Sequence, residues 1–390
     1  MVPIKMPENT KQRLLSIDIL RAVVMILMAL DHARDFFTIS DQDVRSVSEP
    51  ALFLTRWITH FCAPVFVFLA GVSAFLYGAK GRTKAELRHF LITRGFWLIL
   101  VEFTIVRLGW TFSFDLSFFL VQVIFALGIS MLCLALMIYL PNPVFVMTTL
   151  AMIFCHNLLD GTQADQFGQL AILWHFLHEP KLMEFSNGVR LFILYPAIPW
   201  IGIMAAGYLT GPLFLEERKK RVTTLVGIGV ALTLGFVIVR YLGFYGDPNP
   251  WIRHDTWLSD ALSFVNTEKY PPSFLYISMT LGPALIILAL LDKAHGRLAV
   301  ALATIGLVPF FYYIAHIFLI HGLAVLFAKS QGFDTQWLFD SFPPKKPEGY
   351  GVSLITLYGL WALIVVALYP LCKWYAHIKT TRKGWWWSYL

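Results

Sequence analysis

The sequence predicts an all-α polytopic membrane protein, with about ten transmembrane helices and both termini in the cytoplasm. Three observations predict it. The chain of 390 residues is 57% hydrophobic and only 14% charged, with a mean hydropathy of +0.65. Water-soluble chains carry about 25% charged residues, so the bilayer has to be the solvent for most of this one. Apolar runs of spanning length recur along the whole chain. The segments between them alternate in charge.

The runs lie at 14–37, 51–79, 88–110, 116–140, 143–160, 190–212, 222–243, 272–292, 298–328 and 352–376; a span needs about 20 residues. The first run follows Lys5, Lys11 and Arg13, as a signal peptide would. It also carries Asp18 and Arg21 and lacks a small-residue cleavage site, so it is read as a retained span. The ninth is long and holds Pro309, which predicts a broken or kinked helix, because proline removes a backbone donor and clashes with the preceding turn. Gly71 in the second run predicts close helix packing.

With the N-terminus (1–13) inside, the inner segments carry Lys80, Arg82, Lys84 and Arg88, the run Arg218 to Arg221, then Lys293, Arg297, Lys373, Lys379, Arg382 and Lys383. The outer segments carry Asp35, Asp41, Asp43, Glu49, Asp160, Glu179, Asp247, Asp255, Glu268, Asp334 and Glu348. That is the positive-inside pattern. The net charge of +7 therefore reads as sidedness rather than as a nucleic-acid surface. The tail 377–390 places Trp385, Trp386, Trp387 and Tyr389 beside Arg382 and Lys383, an interfacial anchor on anionic membrane lipids. No soluble domain interrupts the runs, so 1–390 is read as one transmembrane unit. The outer loops near 160–189, 244–271 and 329–350 are too long for turns and carry Trp174, Trp251, Trp257 and Trp337, which suits a lid or acceptor platform. The four cysteines (Cys62, Cys133, Cys155 and Cys372) stand apart in apolar runs and read as small buried hydrophobes.

The chemistry concentrates in RLLSIDILRAVVMILMALDHARDFF. Each ionisable group near the centre of a span costs about 2.5–3.5 kcal/mol on insertion scales, so Asp18, Arg21, Asp31 and His32 call for an explanation. Arg21 and His32 stand eleven residues apart, close to three turns, which puts them on one helix face about 16 Å apart. Asp18 lies one turn before Arg21 and Asp35 one turn after His32, while Asp31 points a quarter-turn away. Such a stripe faces protein or a watery cavity rather than lipid. A purely structural alternative makes Asp18 and Arg21 an intrahelical pair and His32 a satisfied histidine at the rim.

An arginine followed eleven residues later by a histidine on a first span resembles the membrane acyltransferase superfamily. The wider text is most similar to bacterial relatives of heparan-α-glucosaminide N-acetyltransferase. The stretches SIDILRAVVMILMALDHARDFF, RWITHFCAPVFVFLAGVSAFLYG, RGFWLILVEFTIVRLGW, LYPAIPWIGIMAAGYLTG, KYPPSFLYISMTLGPALIIL and PFFYYIAHIFLIH carry the resemblance over nearly the whole chain. It implies transfer of an acetyl or other acyl group from cytoplasmic acetyl-CoA (acyl-CoA) to an amine or hydroxyl of a sugar or glycoconjugate acceptor across the membrane, here a bacterial inner membrane. There are departures. Lysosomal members have asparagine at the position of His32 and place their proposed histidine in the following loop; relatives have arginine at Val123 and aspartate at His60. The heparan acceptor therefore does not carry over.

Acyl transfer from a thioester needs a base, oxyanion stabilisation and a grip on the donor. His32 is the base candidate, Asp35 its orienting carboxylate, and a covalent acetyl-imidazole is an open alternative. Arg21, with Asp18 beside it, suits donor phosphate or pantetheine oxygens. Gln122 in the fourth span can hydrogen-bond the donor, and His316, which matches a histidine of the resembling family, is read with it among the donor-binding residues. His60 can share the site or satisfy Glu102 or Asp31. Arg94 and Glu102, two turns apart, can pair with the first span's charges. His175 and His178 with Glu179 form a weak metal-ligand spacing in a loop followed by Pro180, and no metal is expected. Two other classes compete. A small-molecule transporter also uses intramembrane charges, but no repeat between halves is visible. A lipid-binding scaffold leaves the stripe on the first span without a use.

Overall fold

The computed structural model describes residues 14–40, 42–340, 343–382, 384 and 387. The basic residues Lys5, Lys11 and Arg13, the acidic Asp41 and the tail residues Lys383, Trp385, Trp386 and Tyr389 lie outside the described residues. In chain order the helices are α1 (Leu15–Phe37), α2 (Pro50–Thr59), α3 (Cys62–Gly78), α4 (Lys84–Val101), α5 (Arg107–Thr111), α6 (Val123–Met137), α7 (Asn142–Phe154), α8 (Ala171–Leu177), α9 (Ala197–Thr210), α10 (Arg218–Leu242), α11 (Trp257–Val265), α12 (Phe274–Leu290), α13 (Arg297–Gly306), α14 (Pro309–Ser330), α15 (Trp337–Asp340) and α16 (Leu354–Thr381).

Among the described residues seven helical stretches are long and apolar enough to cross a membrane: Pro50–Gly78, Lys84–Thr111, Ala197–Leu215, Arg218–Leu242, Phe274–Lys293, Pro309–Ser330 and Leu354–Thr381. The chain is an integral membrane protein. α6, α7 and α13 are apolar but shorter. At 1.5 Å per residue, α6 and α7 rise only about 20 Å against a hydrocarbon core of about 30 Å. α1 is long enough but too charged to stand in lipid. It is instead enclosed by α2, α3, α13, α14 and α16.

Local chemistry sets the breaks. The second run bends at His60 and Phe61, giving α2 and α3, with Pro64 in the first turn of α3, where its missing N–H costs no intrahelical bond. α4 begins in a capping box, Thr83 with Glu86. It passes through one π-helical turn, Glu102–Val106, before α5. The ninth run is broken as expected: α13 ends at Gly306, Val308 is non-helical, and Pro309 opens α14 at N1.

Two runs are corrected. The fourth begins as strand β1 (Phe118–Val121), and the sixth as strand β3 (Arg190–Ile193). With β2 (Lys181–Glu184) they form a small sheet in which β3 lies between the other two, parallel to β1 with Phe118 opposite Arg190, and antiparallel to β2 with Lys181 opposite Ile193. A short apolar run does not distinguish a buried strand from the first turns of a helix. The cysteine reading also needs amendment: all four are free, and Cys62 and Cys372 are buried, but Cys155 is exposed.

Close crossings hold the interior. A Cβ on Gly71 would come within 2.0 Å of the Met204 carbonyl oxygen, and one on Gly207 within 2.0 Å of that of Phe68, so α3 and α9 touch backbone to backbone. Gly306 likewise lies against the Asp18 carbonyl of α1, 1.9 Å from where its Cβ would stand.

The connections gather at two ends. At one, Arg218 and Arg221 bind Asp292 at 3.0 and 2.9 Å, and Lys84 donates to the Ile138 carbonyl at 2.9 Å. At the other, Thr38 bridges Val352, Arg45 approaches Glu268, Asn157 accepts from the Phe274 amide, and Arg190 donates to the Asp340 carbonyl. The basic loops share the first end and the long acidic loops the second.

Candidate active site

α1 carries two centres along one helix. The Arg21 guanidinium bonds Asp18 Oδ1 at 3.1 Å, the Gly306 carbonyl at 3.1 Å and Ser73 Oγ at 2.8 Å. The Asp18–Arg21 pair is the one its i,i+3 spacing predicts. Arg21 also lines a cavity of about 240 Å³. Arg94 and Lys379 line the same space, with Phe66, Trp97 and Phe310 among its apolar walls. Three cations around an apolar-walled cleft suit a ligand with an anionic head and a long, weakly polar arm. Arg94, read as a possible partner for the first span, is thus brought to Arg21; its guanidinium also lies 4.8 Å from the Phe90 ring centroid.

Three turns on, His32 meets His316 of α14. Nδ1 of His32 is 2.7 Å from Nε2 of His316, and the rings stack 13° from parallel. Nδ1 of His316 lies 2.7 Å from the Tyr312 carbonyl. A carbonyl only accepts, so that nitrogen carries the proton, and His316 Nε2 of the neutral ring is an acceptor. His32 Nδ1–H must then donate to it, which leaves the lone pair on His32 Nε2. Among the described residues nothing is hydrogen-bonded to that nitrogen. Trp110 stands edge-on to the His32 ring at 4.6 Å. His316, placed by the sequence reading with the donor-binding residues, is here the partner of the candidate base.

Asp35 does not reach His32. Its carboxylate binds Arg34 at 2.8 Å, and the same guanidinium binds Asp31 at 2.9 Å. Arg34, next to Asp35 in the chain and one turn after Asp31, thus takes the acid that the sequence reading gave to the imidazole. Asp31 also accepts from Thr59 at 2.7 Å and lies 3.6 Å from Lys269 Nζ. Burial alone would lower the Lys269 ammonium, but Tyr270 and Asp31 beside it hold it above its ordinary value. His60, in the turn between α2 and α3, satisfies neither Asp31 nor Glu102: neither ring nitrogen has a hydrogen-bond partner among the described residues.

Glu102 serves the start of α6 instead of the charges of α1. Its carboxylate accepts the Phe125 amide at 2.7 Å, where the positive end of the helix dipole favours an acid. Gln122, the N-cap residue of α6, is buried, and its Nε2 has no partner among the described residues. His175 and His178 do not converge: the first lies 3.8 Å from Glu179, the second 3.0 Å from Asp160. A second cavity, about 560 Å³, opens at the end with the long loops, lined by Arg107, Thr111, Asp115, Arg190, Asp340 and Lys345 among others.

Sequence reasoning missed Arg34, Ser73, Lys269 and Lys379. Arg34 was within reach, since Asp31 and Arg34 stand at i,i+3. Ser73 and Lys269 stand in stretches that carry the resemblance and Lys379 among the inner basic residues, but their approach to the α1 site comes from distant segments that local spacing does not reveal.

A family model described as heparan-alpha-glucosaminide N-acetyltransferase, catalytic, matches residues 13–242, more than half of the chain. The matched part holds α1 and the helices through α10; it stops before Lys269, His316 and Lys379. No curated protein is found to match the chain.

Proposed function

We propose a reaction for this chain from a plain premise: it belongs to the heparan-alpha-glucosaminide N-acetyltransferase catalytic family, whose members are membrane acetyltransferases. Acetyl-CoA enters from the cytoplasmic end, and its acetyl group passes to an amine or hydroxyl of a sugar-like acceptor at the opposite, extracytoplasmic end. The observation that carries this reading is the direction of the His32 relay. Tyr312 carbonyl, His316 and His32 form a chain whose outer member is left with a basic Nε2. That helix places Arg21 in the basic cavity about three turns away, a separation comparable to an extended pantetheine arm.

His32 Nε2 takes the proton of the acceptor N–H or O–H as the acceptor attacks the thioester carbonyl. The C–S bond then breaks, and the imidazolium returns the proton to the thiolate of CoA. In the covalent variant the same lone pair attacks the carbonyl first. Arg21, Arg94 and Lys379 hold the anionic part of the donor. Purified protein given acetyl-CoA and a panel of amino sugars is expected to release free CoA stoichiometrically with acetylated sugar. Release with none of them favours a small-molecule transporter, the other use of buried charges in a membrane.

In a well-folded protein, Arg21→Ala is expected to weaken acetyl-CoA binding about 10- to 100-fold, the range for a hydrogen bond to a charged group. Arg21→Lys is expected to recover part of it, since an ammonium lacks the planar fork. Unchanged affinity in Arg21→Ala would assign Arg21 to structure.

In this reading both termini lie in the cytoplasm and the membrane is a bacterial inner membrane; the basic residues gathered at one end of the bundle support the orientation. Cysteines introduced at Asp43 and Asp255 are expected to react with an impermeant thiol reagent on intact spheroplasts, and one at Lys219 only after lysis. The reverse pattern inverts the topology.

A further inference from the structure

The relay from the Tyr312 carbonyl through His316 to His32 has a buried neighbour without a task. Tyr313 of α14 is 2% exposed, and its hydroxyl finds no hydrogen-bond acceptor among the described residues. Its ring stands edge-on to that of His32 at 6.1 Å and to that of His316 at 5.6 Å. Trp110, itself 4.6 Å from the His32 ring, acts on the phenol oxygen as a donor. An indole N–H only donates, so this contact leaves the phenol proton unspent. Glu102 acts on Tyr313 through its charge alone, because its carboxylate holds the Phe125 amide at 2.7 Å.

Position decides what that proton is for. Phe310, one turn earlier on α14, is a wall of the cavity that Arg21, Arg94 and Lys379 line. Its ring lies 6.4 Å from that of Tyr313 and 9° from parallel. His316 follows Tyr313 by one turn. Within six residues, about 9 Å, α14 thus runs from the cavity past Tyr313 to the histidine pair, packed against α1. A donor with its anionic head in the cavity and its thioester at His32 lays the thioester carbonyl beside Tyr313. A buried hydroxyl without an acceptor is costly to keep, and a carbonyl oxygen at this place removes the cost.

We propose that Tyr313 is a catalytic residue whose O–H donates to the thioester carbonyl oxygen and stabilises the oxyanion of the tetrahedral intermediate. The inference rests on the acyl-transfer reading. As the acceptor nitrogen or oxygen bonds to the carbonyl carbon, the π pair of C=O moves onto oxygen, and the Tyr313 hydroxyl meets the growing charge. The phenol keeps its proton throughout. When the pair returns, the C–S bond breaks, the thiolate leaves, and the proton it takes is the one His32 received from the acceptor. The Trp110 N–H strengthens Tyr313 as a donor, since hydrogen bonds in a chain polarise one another. A donor fixed in advance in a dry site needs no reorganisation when the charge appears.

The test is Tyr313→Phe, which removes one oxygen and keeps the ring. The variant is expected to melt no lower than the wild type, because it loses a buried hydroxyl that nothing accepts from. Its kcat for acetyl transfer is expected to fall about 10²–10³-fold, the usual worth of one oxyanion donor, with the dissociation constant for acetyl-CoA near wild type. A folded variant with unchanged kcat overturns the inference. So does one in which acetyl-CoA binding weakens and the saturated rate stays, since the hydroxyl would then serve ground state and transition state alike. A second measurement needs no turnover. Acetyl-CoA labelled with carbon-13 at the thioester carbonyl is bound to the protein without sugar, and the carbonyl stretch is read by infrared difference. A shift to lower frequency is expected in the wild type and its loss in Tyr313→Phe. An unshifted carbonyl in the wild type overturns the inference whether or not the variant folds, as does an equal shift in the folded variant. A wild type that shows the shift yet acetylates no sugar keeps the hydrogen bond and loses acyl transfer. One that acetylates sugars as fast with phenylalanine at 313 keeps the reaction and loses Tyr313 as the oxyanion donor.

Discussion

Replacing His32 with alanine is expected to lower acyl transfer by about 10²–10⁴-fold, the usual worth of a general base, while acetyl-CoA binding stays near wild type. The split follows from position. Arg21, about three turns away, lines the cavity with the cations, whereas His32 stands against His316 and Trp110, where an acceptor from the other end would meet the thioester. His32→Gln is expected to remove the acidic limb of the pH–rate profile, because an amide does not titrate. His60→Ala is expected to cost less, since among the described residues its ring nitrogens make no hydrogen bond and its ring packs on Tyr276 rather than on His32. Single-turnover rates with saturating acetyl-CoA check the size of the loss, and a trapped acetyl adduct on wild-type His32 would select the covalent route over direct transfer. A folded His32→Ala protein with wild-type transfer would move the role to His60 or His316.

How much of this was legible in the text divides along a physical line. Features fixed by one stretch of chain could be read. The break at Pro309, the close approach at Gly71 and the Asp18–Arg21 pair each follow from geometry within a few residues. So did the shared helix of Arg21 and His32. Features fixed by partners from elsewhere could not. Ser73 and the Gly306 carbonyl complete the Arg21 site across 52 and 285 residues, and Lys269 comes to Asp31 from a loop. The strands of the runs at 116–140 and 190–212 are a third kind of case. β1 and β3 satisfy one another's backbone groups, and an apolar run alone does not announce that pairing. The Asp35 reading failed for a different reason. Helical spacing brings an acid near several neighbours at once, and Arg34, a full positive charge, wins it over a neutral imidazole.

His316 is expected to act as a positioning residue, with its effect on turnover rather than on donor binding. Its Nδ1–H is held by the Tyr312 carbonyl, so its Nε2 accepts from His32 Nδ1–H and fixes the His32 tautomer with the lone pair on Nε2. Loss of the correct tautomer in hydrolase triads costs up to about 10⁴ in turnover. A neutral acceptor stabilises the imidazolium less than a carboxylate does, so His316→Phe is expected to lower kcat by about 10²-fold with little change in the KM for acetyl-CoA. Phenylalanine preserves the stacked ring but offers no acceptor, which strands a buried donor and frees His32 to shift its proton to Nε2. His316→Gln, which can present a side-chain oxygen to the same proton, is expected to recover part of the loss; a residue that only filled space would show the opposite order, phenylalanine above glutamine. Nitrogen chemical shifts of labelled His32 supply a readout that packing does not move: a protonated Nδ1 in the wild type and in His316→Gln, and a protonated Nε2 in His316→Phe. A wild-type His32 already protonated on Nε2, or a folded His316→Phe protein with unchanged kcat, would break the relay and leave Nε2 of His32 without the direction on which its role as base depends.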